Sequence, residues 1–174
     1  YAILVAGTNR LYQLDFSGSI VNTPILDSVD VAGSSAFSDL SIYREGADWY
    51  GLATSSSQVD LLSFGSNPLS MPLSSAVLPS VVEPSSVELF QEGGQVYGLV
   101  QRNTGQLIRL DFEGSVENIP EVNNLGNLGV LEDNTNRFVL VEDSSSWWGY
   151  GINFTRNKLY EYRFSDDCGA DPSI

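Results

Sequence analysis

Histidine is absent from the 174-residue sequence, and cysteine occurs once, at Cys168. Without histidine the chain cannot build a Ser-His-Asp or Cys-His catalytic arrangement, and it lacks the commonest protein ligand of zinc. A single cysteine also excludes an internal disulfide bond. Carboxylates could still support catalysis, but nothing in the sequence places two of them in one pocket. We therefore expect that the chain is not an enzyme.

Positive charge is also scarce, with 8 Lys and Arg against 22 Asp and Glu and a formal net charge of −14. The basic residues are spread thinly, so no basic patch can neutralise phosphates, and we expect no nucleic-acid partner. The same charge disfavours binding to anionic membrane surfaces. No apolar run approaches the roughly 20 residues of a membrane helix, so we expect no membrane insertion.

A secretion signal is missing too, and the sequence begins at Tyr1 inside an apolar, strand-like stretch. A native chain rarely starts in this way, which favours an excerpt from a longer polypeptide. Residues 165–174 differ in composition from the rest and read as a linker toward a following domain.

What the sequence does contain is a repeat of about 48 residues. Phenylalanines that close equivalent phrases lie 48, 48 and 52 residues apart, and the aromatic residues that open them keep nearly the same period: Phe16, Phe64, Phe112 and Phe164; Tyr1, Tyr50, Tyr97 and Trp148. A repeat of this length composed of short strands is typical of a propeller blade. The sequence therefore predicts an all-β fold, a β-propeller built from four-stranded blades of ~48 residues.

The second repeat shows the predicted blade most clearly. Strand patterns cover 39–43, 49–54 and 59–64, followed by an outer segment over 71–77, with short polar turns that leave no room for helices. Residues 1–164 hold about 3.6 such repeats. Two arrangements stay open: the ragged ends complete each other in a four-bladed ring, or further repeats lie upstream and the chain is part of a larger ring, which we favour.

Glycines follow the opening aromatic residues at Gly51, Gly98 and Gly149. We expect them where two sheets approach closely.

Two phrases of the repeat resemble a known family. The stretches Leu11–Pro24 (LYQLDFSGSIVNTP) and Leu107–Pro120 (LIRLDFEGSVENIP), together with Trp49-Tyr50-Gly51 and 124–129 (NLGNLG), are similar to a repeat of large secreted surface proteins of the Bacteroidota, of the gliding-motility-associated and PKD-domain-containing type. The resemblance implies export to the cell surface by the phylum's type 9 secretion system and a role in adhesion or gliding motility. The phrases at Phe64 and Phe164 lack the Asp, which argues against a ligand supplied by every blade.

Three tryptophans are the candidate ligand-binding residues: Trp49, Trp147 and Trp148. Neighbours in a strand point to opposite faces, so one ring of the Trp147-Trp148 pair should pack between blades while the other is available to stack on a sugar. Packing in the core is the alternative for all three.

Carboxylates provide the other candidates. Asp15 and Asp111 precede Phe in matching phrases, and we expect each to cap the following turn, with cation binding as the alternative. Asp166, Asp167 and Asp171 could offer oxygen ligands to Ca²⁺, although their spacing fits a solvated linker better. We expect no cofactor, Ca²⁺ being the one alternative.

Together these observations predict a non-catalytic interaction or adhesion module of a secreted, multidomain bacterial cell-surface protein. Its expected partners are other domains of the same polypeptide, cell-surface or secretion-machinery proteins, and polysaccharide. A glycan-binding, lectin-like propeller is the alternative, followed by a lyase-type propeller enzyme.

Overall fold

The structure is a computed structural model that describes residues 2–5, 7–31, 36–70, 72–78, 81–128, 135–143 and 146–164. These residues form fourteen strands and no helix. Alternating apolar residues separated by Gly-, Asn- and Ser-rich turns dictate this outcome. The strands are β1 (Ala2–Val5), β2 (Arg10–Asp15), β3 (Ile25–Asp30), β4 (Phe37–Glu45), β5 (Asp48–Ser55), β6 (Val59–Gly65), β7 (Ser74–Leu78), β8 (Pro84–Glu92), β9 (Gln95–Arg102), β10 (Leu107–Asp111), β11 (Glu121–Gly126), β12 (Thr135–Asp143), β13 (Ser146–Asn153) and β14 (Lys158–Phe164).

Each strand pairs antiparallel with its neighbour in sequence, which gives four separate sheets. Sheet 1 is β1-β2-β3, sheet 2 is β4-β5-β6-β7, sheet 3 is β8-β9-β10-β11 and sheet 4 is β12-β13-β14. The first strands β4, β8 and β12 lie side by side, as inner strands do around a propeller axis. The all-β, propeller-like prediction is confirmed at this level, and the strands predicted in the second repeat match β4, β5, β6 and β7.

The first and last sheets of the described residues do not complete each other. By the period, β2 is equivalent to β6, β10 and β14, so sheet 1 contains the second to fourth strands of a blade and sheet 4 the first to third. Among the described residues they remain two distinct three-stranded sheets, and the four sheets do not close into a ring. The four-bladed closure considered from the sequence is therefore not what the structure shows.

Apolar side chains fill the three spaces between consecutive sheets. Leu11, Phe37 and Leu62 belong to the layer between sheets 1 and 2, Leu52 and Leu110 to the layer between sheets 2 and 3. The layer between sheets 3 and 4 is the most aromatic: Phe90, Tyr97, Phe138, Trp147, Tyr160, Tyr162 and Phe164 contribute to it. The core is thus a stack of interfaces between sheets.

The Asp-Phe-x-Gly phrase of the repeat encodes a turn. In sheet 1, Ser17 and Gly18 have φ values of 50° and 90°, and the Asp15 carboxylate accepts a hydrogen bond from Ser17 N at 2.8 Å. Asn22 Nδ2 donates to the carbonyl of Phe16 at 2.9 Å and closes the loop. The predicted capping role of Asp15 is confirmed, because this carboxylate satisfies a turn amide.

The matching turn of sheet 3 shares the loop but not the cap. Its Glu113 and Gly114 have φ values of 52° and 88°, and Asn118 Nδ2 donates to the carbonyl of Phe112 at 2.8 Å. Asp111 instead accepts from Arg109 Nε at 2.8 Å and from Asn123 Nδ2 at 2.9 Å. Arg109 lies on the same strand as Asp111 and Asn123 lies on β11, so the Asp111 carboxylate joins β10 to β11.

The glycines in register are crowded, although only partly by a neighbouring sheet. A Cβ on Gly98 would lie 3.0 Å from Leu52 of sheet 2, which agrees with the expected close approach of sheets. A Cβ on Gly51 would meet Ile42 at 3.0 Å, and one on Gly149 would meet Phe138 at 2.9 Å and the ring of Tyr162. At Gly51 and Gly149 the crowding therefore arises within one sheet, because large side chains of the flanking strands cover the glycine.

The described residues contain no helix that could span a membrane. The linker predicted for residues 165–174 lies outside the described residues, as do Tyr1 and Cys168.

Replacing Gly149 with Ala tests this crowding. We expect G149A to lower the free energy of unfolding by ~1–3 kcal/mol, because the new methyl group has no room beside the Tyr162 ring. The Tyr162→Leu change removes the ring, so in the double variant the added cost of G149A should shrink by ~1 kcal/mol. Urea unfolding of the four proteins measures this coupling, and strictly additive losses would contradict the explanation.

Candidate functional site

A broad depression of about 780 Å³ lies at one end of the propeller axis, which we call the upper end. At this end the first strand of each blade begins and the turn between its second and third strands lies, because neighbouring strands are antiparallel. All four sheets contribute to the lining: Val5, Gly7, Ala36, Phe37, Ser38, Ser56, Pro84, Ser85, Asn103, Arg137 and Phe154. The arrangement of the repeat thus creates one concave surface from equivalent positions.

Four turn residues at the rim are equivalent in the repeat but differ in chemistry: Gly7, Ser56, Asn103 and Phe154. Their turns are held by local hydrogen bonds, such as Ser55 N to the Gln58 carbonyl at 2.9 Å and Gly105 N to the Arg102 carbonyl at 2.9 Å. Turns fixed in this way can change their tip side chains without disturbing the sheets.

Arg137 and Phe154 give the depression its charge and its aromatic surface. The Arg137 side chain is half exposed; its Nη1 donates to the Ser38 carbonyl at 2.9 Å and lies 3.3 Å from Asp39 Oδ1. Phe154 has 58% of its surface exposed. A guanidinium, an amide, several hydroxyl groups and an aromatic ring therefore face one open depression.

Beneath the depression, side chains of one inner strand cap the backbone of the next. Asp39 Oδ2 accepts from Val87 N at 3.0 Å and Ser41 Oγ accepts from Leu89 N at 2.9 Å, which joins β4 to β8. These contacts satisfy amides on the free edge of β8.

The same pattern recurs between β8 and β12. Ser86 Oγ accepts from Phe138 N at 3.2 Å, and the Glu88 carboxylate accepts from the backbone of Leu140. We call this set of contacts, made by Asp39, Ser41, Ser86 and Glu88, the inner-strand seam.

The pKa of Glu88, a member of the seam, is strongly shifted. Burial and, to a smaller extent, the nearby Asp39 charge raise the pKa of Glu88 to about 7, although hydrogen bonds from Ser41 and Leu140 lower it. A partly buried carboxyl group with a pKa near neutrality could act as a proton donor in catalysis. However, neither Glu88 nor Asp39 lines the depression, and both carboxylates are engaged by the seam.

The three candidate tryptophans lie away from the depression. Trp147 packs between sheets 3 and 4, with its ring 5.2 Å from Phe90 and its Nε1 donating to Glu92 Oε1 at 2.8 Å. Trp49 is partly buried beside sheet 1, and the Arg44 guanidinium lies 5.6 Å from its ring. Both side chains therefore contribute to packing between sheets.

Trp148 points to the opposite face of sheet 4, as strand alternation requires. The Arg163 guanidinium lies 5.5 Å from its ring, and a shallow hollow of about 500 Å³ lies beside it, lined by Val141, Glu142, Asp143, Tyr150 and Glu161. The structure brings Trp148 close to neither Trp49 nor the depression. Ligand binding by the tryptophans stays a prediction.

Residues of the depression were missed from the sequence, although a signal for them existed. Aligning the repeats places Asn103 and Phe154 at the same turn position as Gly7 and Ser56. Arg137 aligns with Asp39 and Ser86. It is a cationic residue at an inner-strand position where sheets 2 and 3 have a hydrogen-bond acceptor, and this difference could have identified it.

Metal binding has no support in the described part of the chain, where no group of three or more Cys, Asp or Glu side chains could hold an ion. The candidates Asp166, Asp167 and Asp171 lie outside the described residues.

Comparisons with known proteins give structural matches alone. No protein-family model matches the sequence, and no curated protein does. Among solved structures, a bifunctional GH43-CE protein of Bacteroides eggerthii is 14% identical with a TM-score of 0.63 over 95% of this chain and 22% of its own. A xyloglucan PUL GH43B protein of Bacteroides ovatus is 10% identical with a TM-score of 0.57 over 99% of this chain and 39% of its own.

These identities show a shared fold and no more. The chain spans less than two fifths of the length of either protein.

Because the pKa of Glu88 is raised, we expect the free energy of unfolding to depend on pH. At pH values between the ordinary pKa of a glutamate and about 7, Glu88 is protonated in the folded protein and ionised in the unfolded chain. Folding in this pH range therefore takes up a proton. The stability contributed by Glu88 is full below its unfolded pKa and falls by ~1 kcal/mol per pH unit as pH rises toward 7. In Glu88→Gln this contribution is absent. Urea unfolding of both proteins at pH 5, 6, 7 and 8 measures the difference, and a difference that does not change with pH would refute it.

Proposed function

We propose that this chain is a non-catalytic carbohydrate-binding module that holds a glycan in the upper depression. The observation that carries the proposal is the convergence of Arg137, Asn103, serine hydroxyls and the exposed ring of Phe154 on one open surface. Sugars present hydroxyl groups at their edges and C–H groups on their faces, so they suit a surface that offers both polar groups and an aromatic ring.

The descriptions of the two structural neighbours support a carbohydrate ligand. Both are described as GH43, glycoside hydrolase, proteins, and one as part of a xyloglucan locus. They share the fold of this chain at low identity, so their substrates do not transfer to it. They make polysaccharides the first class of ligand to test.

Absence of catalysis is part of the proposal. Two carboxylates of the inner strands, Asp39 and Glu88, accept hydrogen bonds from the backbone of the next sheet. A glycosidase needs two carboxyl groups that flank a bound sugar. Carboxylates occupied in joining strands cannot take that position without breaking the seam.

Hydrolysis is the second candidate, and the raised pKa of Glu88 is the observation that favours it. If Glu88 acts as an acid, the protein should release reducing sugar from a bound polysaccharide, and Glu88→Gln should abolish the release. Binding without release supports the non-catalytic proposal.

Within a larger protein, such a module would serve adhesion. We propose, from the resemblance of the repeat, that the polypeptide is secreted to a bacterial cell surface, where glycan binding would hold it to a substrate or a neighbouring cell. Partner proteins of the secretion machinery remain part of this proposal.

The binding test uses the whole chain and three variants. Isothermal titration against a panel of plant and microbial polysaccharides should identify a ligand. Phe154→Ala and Asn103→Ala should each weaken its binding about 10-fold, because each loses ~1.4 kcal/mol of stacking or hydrogen bonding. Ile119→Ala is the matched control, since this side chain is 87% exposed in the loop between β10 and β11, at the opposite end of the sheets.

Two results would contradict the proposal. One is a folded protein that binds no member of the panel; the other is binding that F154A and N103A leave unchanged.

A further inference from the structure

Each sheet has two faces, which the order of the stack defines. We call the face toward the following sheet the back face and the face toward the preceding sheet the front face. Back faces meet front faces three times, between sheets 1 and 2, 2 and 3, and 3 and 4. The back face of sheet 4 and the front face of sheet 1 have no such contact in the described part of the chain.

One repeat position shows that the back face of sheet 4 is incomplete. Leu11, Val59 and Leu107 occupy this position in sheets 1 to 3, and all three are completely buried. Leu159 occupies it in sheet 4 and is 67% exposed. Because the residue type hardly changes while the exposure does, sheet 4 presents an interface surface that lacks its cover.

Other apolar residues extend this surface. Val139, Val141 and Ile152 lie on the same face of sheet 4 and are exposed by two fifths or more, and Trp148 and Tyr150 lie between them in the register. The equivalents of Trp148 and Tyr150 in sheet 3 are Tyr97 and Leu99, which belong to the aromatic layer between sheets 3 and 4. The open surface therefore continues an interface that the chain already makes.

Apolar residues on the front face of sheet 1 are likewise more exposed than their equivalents in the other sheets. Leu62, Leu110 and Tyr162 occupy equivalent front-face positions in sheets 2 to 4 and are buried, whereas Leu14 is only partly buried. Leu4 and Leu26 share that face of sheet 1 and are half exposed or more. The chain therefore carries both halves of one interface, unpaired.

We propose that a further sheet of this same repeat, from the same polypeptide, is seated between the back face of sheet 4 and the front face of sheet 1. A sheet of the repeat has one face of each kind and fits both surfaces at once. A second copy of the chain is a poorer occupant, since it brings another net charge of −14 against the first. This proposal does not depend on the carbohydrate ligand.

The seam restricts what this further sheet can be. At the positions of Asp39 and Ser86, sheet 4 has Arg137, and at the positions of Ser41 and Glu88 it has Val139. Arg has only donors and Val has no polar atom, so neither can cap amides of a following inner strand. The amides on the inner edge of the further sheet must therefore find other acceptors. Arg137 already donates to Ser38 and lies beside Asp39.

Thiol labelling tests the proposal in the native polypeptide and in the 174-residue chain. In a Cys168→Ser background, Leu159→Cys and Leu26→Cys report on the two open faces, and Ile119→Cys is the matched control, since it is exposed in a loop. In the 174-residue chain all three thiols should react at similar rates. In the native polypeptide the thiols of L159C and L26C should react at least ~10-fold more slowly, because a buried thiol is not accessible to the reagent.

A photoactivatable label on L159C, followed by peptide mapping, identifies the segment that covers sheet 4. A cross-link to another copy of the repeat in the same polypeptide confirms the proposal. The proposal is overturned if L159C and L26C stay reactive in the native polypeptide, or if the cross-link reaches a segment that is not this repeat. It is also overturned if both thiols become protected in the 174-residue chain as its concentration rises, because a second copy would then cover the two faces. Should L159C fail to fold by circular dichroism, Val139→Cys reports on the same face.

Discussion

Capping of one inner strand by side chains of the preceding one is the interaction on which this architecture depends. An inner strand next to the axis has one edge without a neighbouring strand, and its unpaired amides are costly unless they find acceptors. Asp39 and Ser41 supply those acceptors to β8, and Ser86 and Glu88 supply them to β12. Because the acceptors are spaced two residues apart, they match the amides on one edge of the next strand and fix the relative height of the sheets.

The seam determines where a ligand can bind. With the sheets held at one height, their upper turns come together around the axis, and the side chains at the tips become the variable part of the surface. Gly7, Ser56, Asn103 and Phe154 are four different residues on one repeated framework. The carboxylates of Asp39 and Glu88 on the inner strands meanwhile accept hydrogen bonds from the next sheet. The residues that hold the sheets together are therefore different from the turn residues that face the depression.

The sequence allowed the all-β class, the repeat period and most strands to be predicted, because these depend on local patterns. It also predicted that Asp15 caps its turn and that Trp147 and Trp148 face opposite ways, since both follow from the geometry of one or two residues. The residues of the depression were missed although aligned repeats mark them, whereas the seam could not be predicted. Asp39 and Val87 are 48 residues apart, and only the packing of two sheets makes them partners. Asp111 was expected to cap its turn as Asp15 does, but its carboxylate accepts hydrogen bonds from Arg109 and Asn123 instead.

The chemistry of the seam explains why dissimilar residues occupy equivalent positions. Asp39 corresponds to Ser86, and Ser41 corresponds to Glu88, although one member of each pair is ionisable and the other is neutral. What the position requires is an oxygen that accepts a hydrogen bond from an amide, and a hydroxyl, a carboxylate and a protonated carboxyl all provide one. Glu88 can therefore carry a proton near neutral pH and still accept from Leu140 through its carbonyl oxygen. Burial costs less when the acid is neutral, so the raised pKa follows from the partial burial of Glu88 between joined strands and does not by itself indicate catalysis.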